Sequence, residues 1–302
     1  MSVLDRIERL RNVMEQQKID CYIIPTDDYH HSEYVGDYFK FREYITGFTG
    51  SAGTAVFTKD KAGLWTDGRY FIQAEAQLKG SGITLYKSGE SDVPTIEEFL
   101  KSELKEGDVL GFDGRTVTYA QGKRYCHIAD ENGVSLKYRL DFAQNIWKER
   151  PEMSMEPVFS LEDEYTGEKI GSKLERIREV MKENGCNAHV LSSLDDIAWL
   201  LNIRGNDIAY CPLVLSYAIV YNNSVELFAD IRKFSDDIIN LLAENQVKIY
   251  PYEDIYRKVS EMTSEDKLLL DSAIMNYSLY QAISKETVIV DKQNPEILMK
   301  SV

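Results

Sequence analysis

The sequence predicts an α/β protein built as a tandem duplication of one domain. Three observations carry that reading: segments that recur in the same order in the two halves, alternating helical and strand-like periodicities within each half, and a proline-containing acidic stretch between them. Residues 7–14 (IERLRNVM) reappear as residues 174–181 (LERIREVM). Apolar side chains at Leu4, Ile7, Leu10, Val13 and Met14 recur at helical spacing, as do Leu174, Ile177, Val180 and Met181. Each helix leads into a short apolar strand, residues 21–24 and 188–191. Residues 44–50 (YITGFTG) then match residues 199–205 (WLLNIRG). Finally AVFT followed by LWTDGR (64–69) matches AIVY followed by LFADIR (227–232). In the last pair Asp67 falls on Asp230 and Arg69 on Arg232. Four matched elements in one order indicate duplication.

Within the first copy, residues 54–58 form a β-rich run, 59–62 a turn and 63–66 the returning strand. Asp67-Gly68 is a strong turn signal. Residues 69–79 follow as a helix. Pro94 is expected in the first turn of another helix, with Ile96, Phe99, Leu100 and Leu104 on one face. Residues 83–86 and 109–112 read as strands. Residues 150–164 carry Pro151, Pro157 and five acidic residues without periodicity, which predicts a surface connection. The boundary is drawn there, giving domains 1–155 and 156–302. The second copy closes with a strand at 287–290 and a cap-plus-proline helix start at Asn294-Pro295.

Composition narrows the function. A length of 302 residues suits two domains, each able to bury its own core. With 35 Lys+Arg against 50 Asp+Glu, the net charge of -15 argues against nucleic-acid partners, which require a basic footprint. The first ten residues carry Asp5, Arg6, Glu8 and Arg9, so they form no apolar signal stretch. The longest mostly apolar run, residues 213–221, is far shorter than the roughly 20 residues of a membrane span. Cys21, Cys126, Cys186 and Cys211 form no CxxC pair and read as reduced, mostly buried thiols of a cytoplasmic protein.

Four features invite chemistry. The cluster Asp27-Asp28-Tyr29-His30-His31-Ser32-Glu33 holds several metal-ligand types. Adjacent residues diverge in helix or strand, so convergence on one ion is unsupported; the plainer expectation is a polar loop whose carboxylates cap the next helix. His127 is isolated, and His189 alternates with Leu191 in an apolar strand, as a hydrogen-bonded core histidine would. The stretch 47–54 (GFTGSAGT) lacks the GK[ST] ending of a phosphate loop and the GxGxxG order of a dinucleotide site. It reads as a tight turn before a hairpin. Arg69 follows a turn at a sheet rim, where a guanidinium can grip a carboxylate or a peptide carbonyl. Asp67, two residues earlier, offers a local ion pair instead, and the repeat of both residues at Asp230 and Arg232 favours that structural role.

The motifs also resemble a known family. Residues 22–25 (YIIP), Asp28, His30, residues 32–34, Gly47-Phe48, residues 50–55 (GSAGTA) and 65–71 (WTDGRYF) are similar to the first domain of aminopeptidase P. Ile146-Trp147 with Arg150-Pro151-Glu152 resembles that family's inter-domain link. Residues 196–205 (DIAWLLNIRG), Asp207, Pro212 and 216–219 (SYAI) resemble its second domain. The resemblance runs along essentially the whole chain and fits the long, three-domain Xaa-Pro aminopeptidases. It implies two creatinase N-terminal-like domains, each a mixed β-sheet flanked by helices.

The same resemblance implies what the chain lacks. The family's metal-dependent hydrolysis resides in a third, pita-bread domain holding two divalent ions, usually Mn²⁺. None of that domain's sequence signatures occurs here, so the chain is expected to be the non-catalytic N-terminal region of a larger enzyme. No cofactor, metal ligand or catalytic residue is assigned within residues 1–302. The expected roles are shaping substrate access and supporting a cytoplasmic homodimer that acts on peptides with proline second. One position carries over: the arginine of WTDGRY contributes to peptide binding in the family, which implies that role for Arg69. Arg232, lacking the glycine, receives none. Two readings compete with this one. The first is a non-enzymatic binding module, similar to the N-terminal part of a histone chaperone. The second is a self-contained hydrolase using Asp28, His30, His31 and Glu33.

Overall fold

A computed structural model describes residues 1–301, which form two compact units. The first comprises Met1–Tyr29 and Asp37–Glu152; the second comprises His30–Gly36 and the chain from Met153 onward.

The first unit opens with helix α1 (Val3–Gln17). Ser2 accepts from the Asp5 amide (3.2 Å) while the Asp5 carboxylate accepts from the Ser2 amide (2.9 Å), a reciprocal cap that satisfies two of the helix's orphan donors. Ile7, Leu10 and Met14 form its buried face, and Lys18, left-handed at φ 55, ends it. Strand β1 (Cys21–Pro25) and the short helix α2 (Phe41–Thr46) follow. Strands β2 (Thr54–Thr58) and β3 (Ala62–Thr66) make a hairpin closed by the Thr58 amide donating to the Lys61 carbonyl (2.9 Å). Next come α3 (Phe71–Gln77), β4 (Thr84–Lys87), α4 (Ile96–Glu103), β5 (Val109–Phe112), α5 (Tyr119–Glu131), β6 (Ser135–Lys137) and α6 (Ala143–Ile146). The sheet order is β4-β3-β2-β1-β5-β6. Strand β2 runs antiparallel to both its neighbours, β1 and β3, whereas β4, β5 and β6 pair in parallel, so the sheet is mixed.

Pro94 corrects one expectation. It lies outside α4, just before the N-cap Thr95, whose hydroxyl accepts from the Glu98 amide (3.1 Å). Its carbonyl instead accepts the Trp65 indole N–H (2.8 Å), which ties the turn to the sheet. Trp65, Tyr86 and Phe99 cluster there, the first two stacked with centroids 4.1 Å apart.

The second unit contains β7 (Phe159–Ser160), α7 (Asp163–Thr166), α8 (Ile170–Glu183), β8 (Ala188–Leu191), α9 (Leu194–Leu200), β9 (Ile203–Arg204), β10 (Tyr217–Tyr221) and β11 (Val225–Phe228). It continues with α10 (Asp236–Glu244), β12 (Val247–Tyr250), α11 (Asp254–Ser260), β13 (Lys267–Leu270), α12 (Tyr277–Ala282), β14 (Val288–Asp291) and α13 (Pro295–Met299). Its sheet order, β12-β11-β10-β8-β13-β14, repeats that of the first unit strand for strand. Residues Ala188, Val190, Tyr217, Ile219 and Leu268 pack one face of this sheet, and Leu191, Ala218, Val220, Leu227 and Leu269 the other.

Two further expectations need correcting. The stretch 150–164 is not wholly irregular: it contains β7, paired antiparallel with β9, and begins α7. A two-residue strand has no periodicity of its own and exists because Ile203–Arg204 supplies its partner. Asn294 precedes Pro295 at the start of α13 as expected, but its side chain does not cap the helix. The amide Nδ2 donates to the buried Asp196 carboxylate instead (2.8 Å).

Candidate functional site

The hairpin β2–β3 presents Arg69 at its far end. The Asp67 carboxylate accepts from the Arg69 backbone amide (3.1 Å), Nε (2.9 Å) and Nη2 (2.8 Å), so one side chain organises both the turn and the guanidinium. This pairing holds the Asp67 carboxyl below its ordinary pKa and the Arg69 guanidinium above its own. The Arg69 side chain is 70% exposed, and the guanidinium lies over the Tyr70 ring at 5.3 Å. Only the Nε–Nη2 edge meets Asp67. The opposite edge carries further donors in the fork geometry that matches a carboxylate or a peptide carbonyl.

Beside Arg69 runs the glycine-bearing loop 47–53, and its organiser is Arg42, which the sequence reading did not single out. Arg42 is 2% exposed. Its Nε donates to Thr26 Oγ1 (2.8 Å), and Nη1 and Nη2 donate to the carbonyls of Phe48 and Gly50. The Thr26 hydroxyl in turn donates to the Gly53 carbonyl (2.9 Å). Burial pulls the Arg42 pKa down to about 10, still charged at neutral pH. Gly50 is required by close approach: a Cβ there would lie 2.2 Å from Phe48 Cζ and 2.8 Å from Tyr70 Cδ1. Ser51 Oγ and the Tyr70 hydroxyl share a hydrogen bond (2.6 Å), and Gln73 and Gln77 of α3 donate to Thr49 Oγ1 (2.9 Å each). The loop is therefore a fixed wall, a tight turn ahead of a hairpin as its sequence implies.

The turn around Arg69 has two counterparts. Asp230 accepts from the Arg232 amide (3.0 Å) and Nε (2.9 Å) in the second unit, where Arg232 is 73% exposed. Asp113 does the same for Arg115 at the end of β5 (amide and Nε both 3.0 Å). That third case is half-buried. Arg115 also donates to Asp141 (2.9 Å), which in turn accepts from Arg150 Nη1 (3.0 and 3.1 Å). Arg115 and Arg150 cover the rings of Tyr29 (4.3 Å) and Tyr38 (3.6 Å). Asp113-Gly-Arg115 repeats the spacing of Asp67-Gly-Arg69, and that was the signal available in the sequence.

The acidic and histidine-rich cluster 27–33 is divided between the units. Asp28 and Tyr29 are buried in the first. His30 belongs to the second, where Nδ1–H donates to the Ser192 carbonyl (2.9 Å), Nε2 accepts from the Tyr252 hydroxyl (2.6 Å), and the ring packs on Tyr217 (4.4 Å). The capping expectation fails: α2 has Lys40 at its N-cap, with no side-chain cap bond. The chain takes its own course through His31, which is left-handed at φ 57. His127 is exposed beside Glu131 (3.2 Å). His189 is wholly buried, as a core histidine: Nδ1–H donates to the Leu269 carbonyl (3.0 Å), and Nε2 meets the equally buried Glu296 carboxylate (3.2 Å). Among the described residues no three His, Cys, Asp or Glu side chains are grouped so as to hold a metal ion. No helix among them is long and apolar enough to cross a membrane. None of the four cysteines is in a disulfide; Cys21 and Cys186 are buried, Cys126 and Cys211 half-buried.

Comparison with known proteins gives consistent matches. The family described as Creatinase/Prolidase N-terminal domain matches twice, over residues 6–138 and 149–302. Xaa-Pro aminopeptidase 1 of Dictyostelium discoideum is 35% identical over 100% of this chain and 49% of its own length. A probable Xaa-Pro aminopeptidase P of Sordaria macrospora is 39% identical over 90% of this chain and 45% of its own. The crystal structure of X-prolyl aminopeptidase from Caenorhabditis elegans, described as a cytosolic enzyme with a di-nuclear active site, superposes with a TM-score of 0.90. It is 31% identical and covers 99% of this chain and 53% of that one. The chain thus spans about half the length of the curated relatives it matches.

Proposed function

Because the chain belongs to the Creatinase/Prolidase N-terminal domain family, we propose that it is the non-catalytic N-terminal region of an Xaa-Pro aminopeptidase. The parent enzyme removes the N-terminal residue of peptides carrying proline second. The observation that carries this reading is the end-to-end match to the C. elegans enzyme, at a TM-score of 0.90 over 99% of the chain. In this proposal the two divalent ions, Mn²⁺, are held by residues outside this chain, and no chemical step is routed through it. A cytoplasmic location and a homodimer belong to the same proposal.

The chain's own contribution is substrate binding through Arg69. Asp67 fixes one edge of the guanidinium, the loop 47–53 braces its surroundings through Tyr70, and the second edge is left to accept-bearing groups such as peptide carbonyls. A contact of this kind stabilises bound substrate without touching the scissile bond, so its loss falls on KM. The test is steady-state hydrolysis of an Xaa-Pro-Xaa peptide by the full-length enzyme. Arg69→Ala is expected to raise KM about tenfold with kcat within about twofold, the pattern of a lost uniform binding interaction. The isolated 302-residue chain is expected to show no turnover with or without Mn²⁺. A wild-type KM in the variant would remove Arg69 from substrate binding, and metal-dependent turnover by the isolated chain would overturn the non-catalytic assignment.

A further inference from the structure

The second unit contains a cationic cleft of about 520 Å³ in a chain whose net charge is -15. Lys173, Arg176, Arg204 and Lys300 line it, with Trp199 as a flat wall and Glu168 as its one lining carboxylate. Glu168 is already engaged by Ser172 Oγ (2.6 Å) and Arg176 Nη1 (2.6 Å). Lys300 pairs with the buried Asp196 (2.6 Å). That leaves an excess of positive charge at Lys173 and Arg204.

Lys173 is the decisive group. It is 1% exposed, yet its ammonium has only neutral partners, the Trp199 carbonyl (2.8 Å) and Asn202 Oδ1 (2.6 Å). Among the described residues it has no carboxylate partner, although a buried cation ordinarily needs one. Burial, aided by the like charges of Arg204 and Arg176, depresses its pKa against the opposing pull of the Glu168 carboxylate. Arg204 spends Nη1 on the carbonyls of Ala198 (2.6 Å) and Ile203 (2.9 Å), and burial lowers its pKa as well. Helix α8 begins beside this cleft, and the Glu168 carboxylate, bonded to Ser172 in its first turn, already meets its positive end. The uncompensated positive potential of this concave space therefore comes from the Lys173 ammonium and the Arg204 guanidinium.

We propose that this cleft is a binding site for a small oxyanion, a phosphate or a carboxylate, held by Arg176 and Arg204 over the Lys173 ammonium. The site lies outside the substrate-binding role assigned to Arg69 and stands or falls separately from it. An anion there neutralises the buried lysine and completes the guanidinium donors.

Isothermal calorimetry on this chain tests the assignment, with inorganic phosphate in one arm and succinate in the other, and ionic strength held constant with chloride. One-to-one binding of either anion is expected, the arm that gives it identifying the chemistry. Arg176→Glu, at a half-buried position whose one ion-pair partner is Glu168, should weaken that binding at least tenfold. Glu168→Gln should tighten it several-fold, a gain that misfolding cannot mimic. Lys173→Met should abolish it, with circular dichroism confirming the fold. No binding of either anion beyond chloride, or unchanged affinity in Arg176→Glu, overturns the proposal.

Discussion

Replacing Arg42 by Met keeps the aliphatic stem and removes the charged fork on which the loop beside Arg69 is built. The lost interactions are countable: Nε to Thr26 Oγ1, and the two terminal nitrogens to the Phe48 and Gly50 carbonyls. Each is a hydrogen bond from a charged donor to a neutral acceptor, contributing at least about 1.5 kcal/mol net. Three of them give a loss of about 4–5 kcal/mol, within what leaving the two buried carbonyls unpaired would cost by desolvation. With a urea m-value of about 2 kcal/mol/M for a unit of this size, the first unit's unfolding midpoint should fall by about 2–2.5 M. Lys at the same position retains one or two of the bonds and should lose roughly half as much. Far-UV circular dichroism in urea gives the midpoints, and amide exchange over residues 48–53 reports whether the loss is centred on the loop. A midpoint for Arg42→Met within about 0.3 M of wild type would refute this account of how the loop is held.

Two further outcomes follow from the same geometry. Gly50→Ala forces a Cβ against Phe48 and Tyr70 and should cost about 1–3 kcal/mol, whereas Gly68→Ala, whose Cβ would meet only Phe71 Cε2 at 3.9 Å, should be close to neutral by thermal melting. The third concerns pH. Burial opposes protonation of His189, but the Glu296 carboxylate and the Leu269 carbonyl outweigh it and raise the folded pKa above its ordinary value. A raised pKa means the pair stabilises fully below the unfolded value of about 6.5 and loses that contribution as pH climbs through the folded one. Wild-type urea midpoints for the second unit should therefore fall from pH 6 to 9, and His189→Gln should flatten that dependence. An unchanged slope in the variant would show that other groups set it.

Much of the architecture could be read in advance because the duplication exposes it twice. Residues 54–58 and 109–112 coincide with β2 and β5, since each is an unbroken apolar or β-branched run bounded by turn residues. Residues 135–137 carry only Leu136 as an apolar side chain, and β6 forms because β5 offers a parallel edge. The pairing of Asp67 with Arg69 follows from a two-residue spacing, so local sequence suffices for it. Arg42 is different. It sits in a short helix between Phe41 and Glu43, and nothing nearby states that the Phe48 and Gly50 carbonyls will turn back to meet its fork. Likewise Lys173 reads as an ordinary surface lysine of an amphipathic helix until the fold brings Trp199 and Asn202 against it. Contacts made across long sequence separations are where the reading of the chain stopped.

The segment from His30 to Gly36 gives the duplication an asymmetric bookkeeping of parts. Seven residues encoded within the first repeat are structural members of the second unit. A gene fragment beginning at residue 153 would therefore translate every strand of that unit's sheet and still omit one of its pieces. The Ser192 carbonyl, the Tyr252 hydroxyl and the face of the Tyr217 ring would all lose the imidazole that fills the space among them. The two copies, alike in strand order, are not interchangeable modules that a single cut could separate. Any circular permutation or domain-swap design on this scaffold has to carry residues 30–36 along with the half in which they are folded.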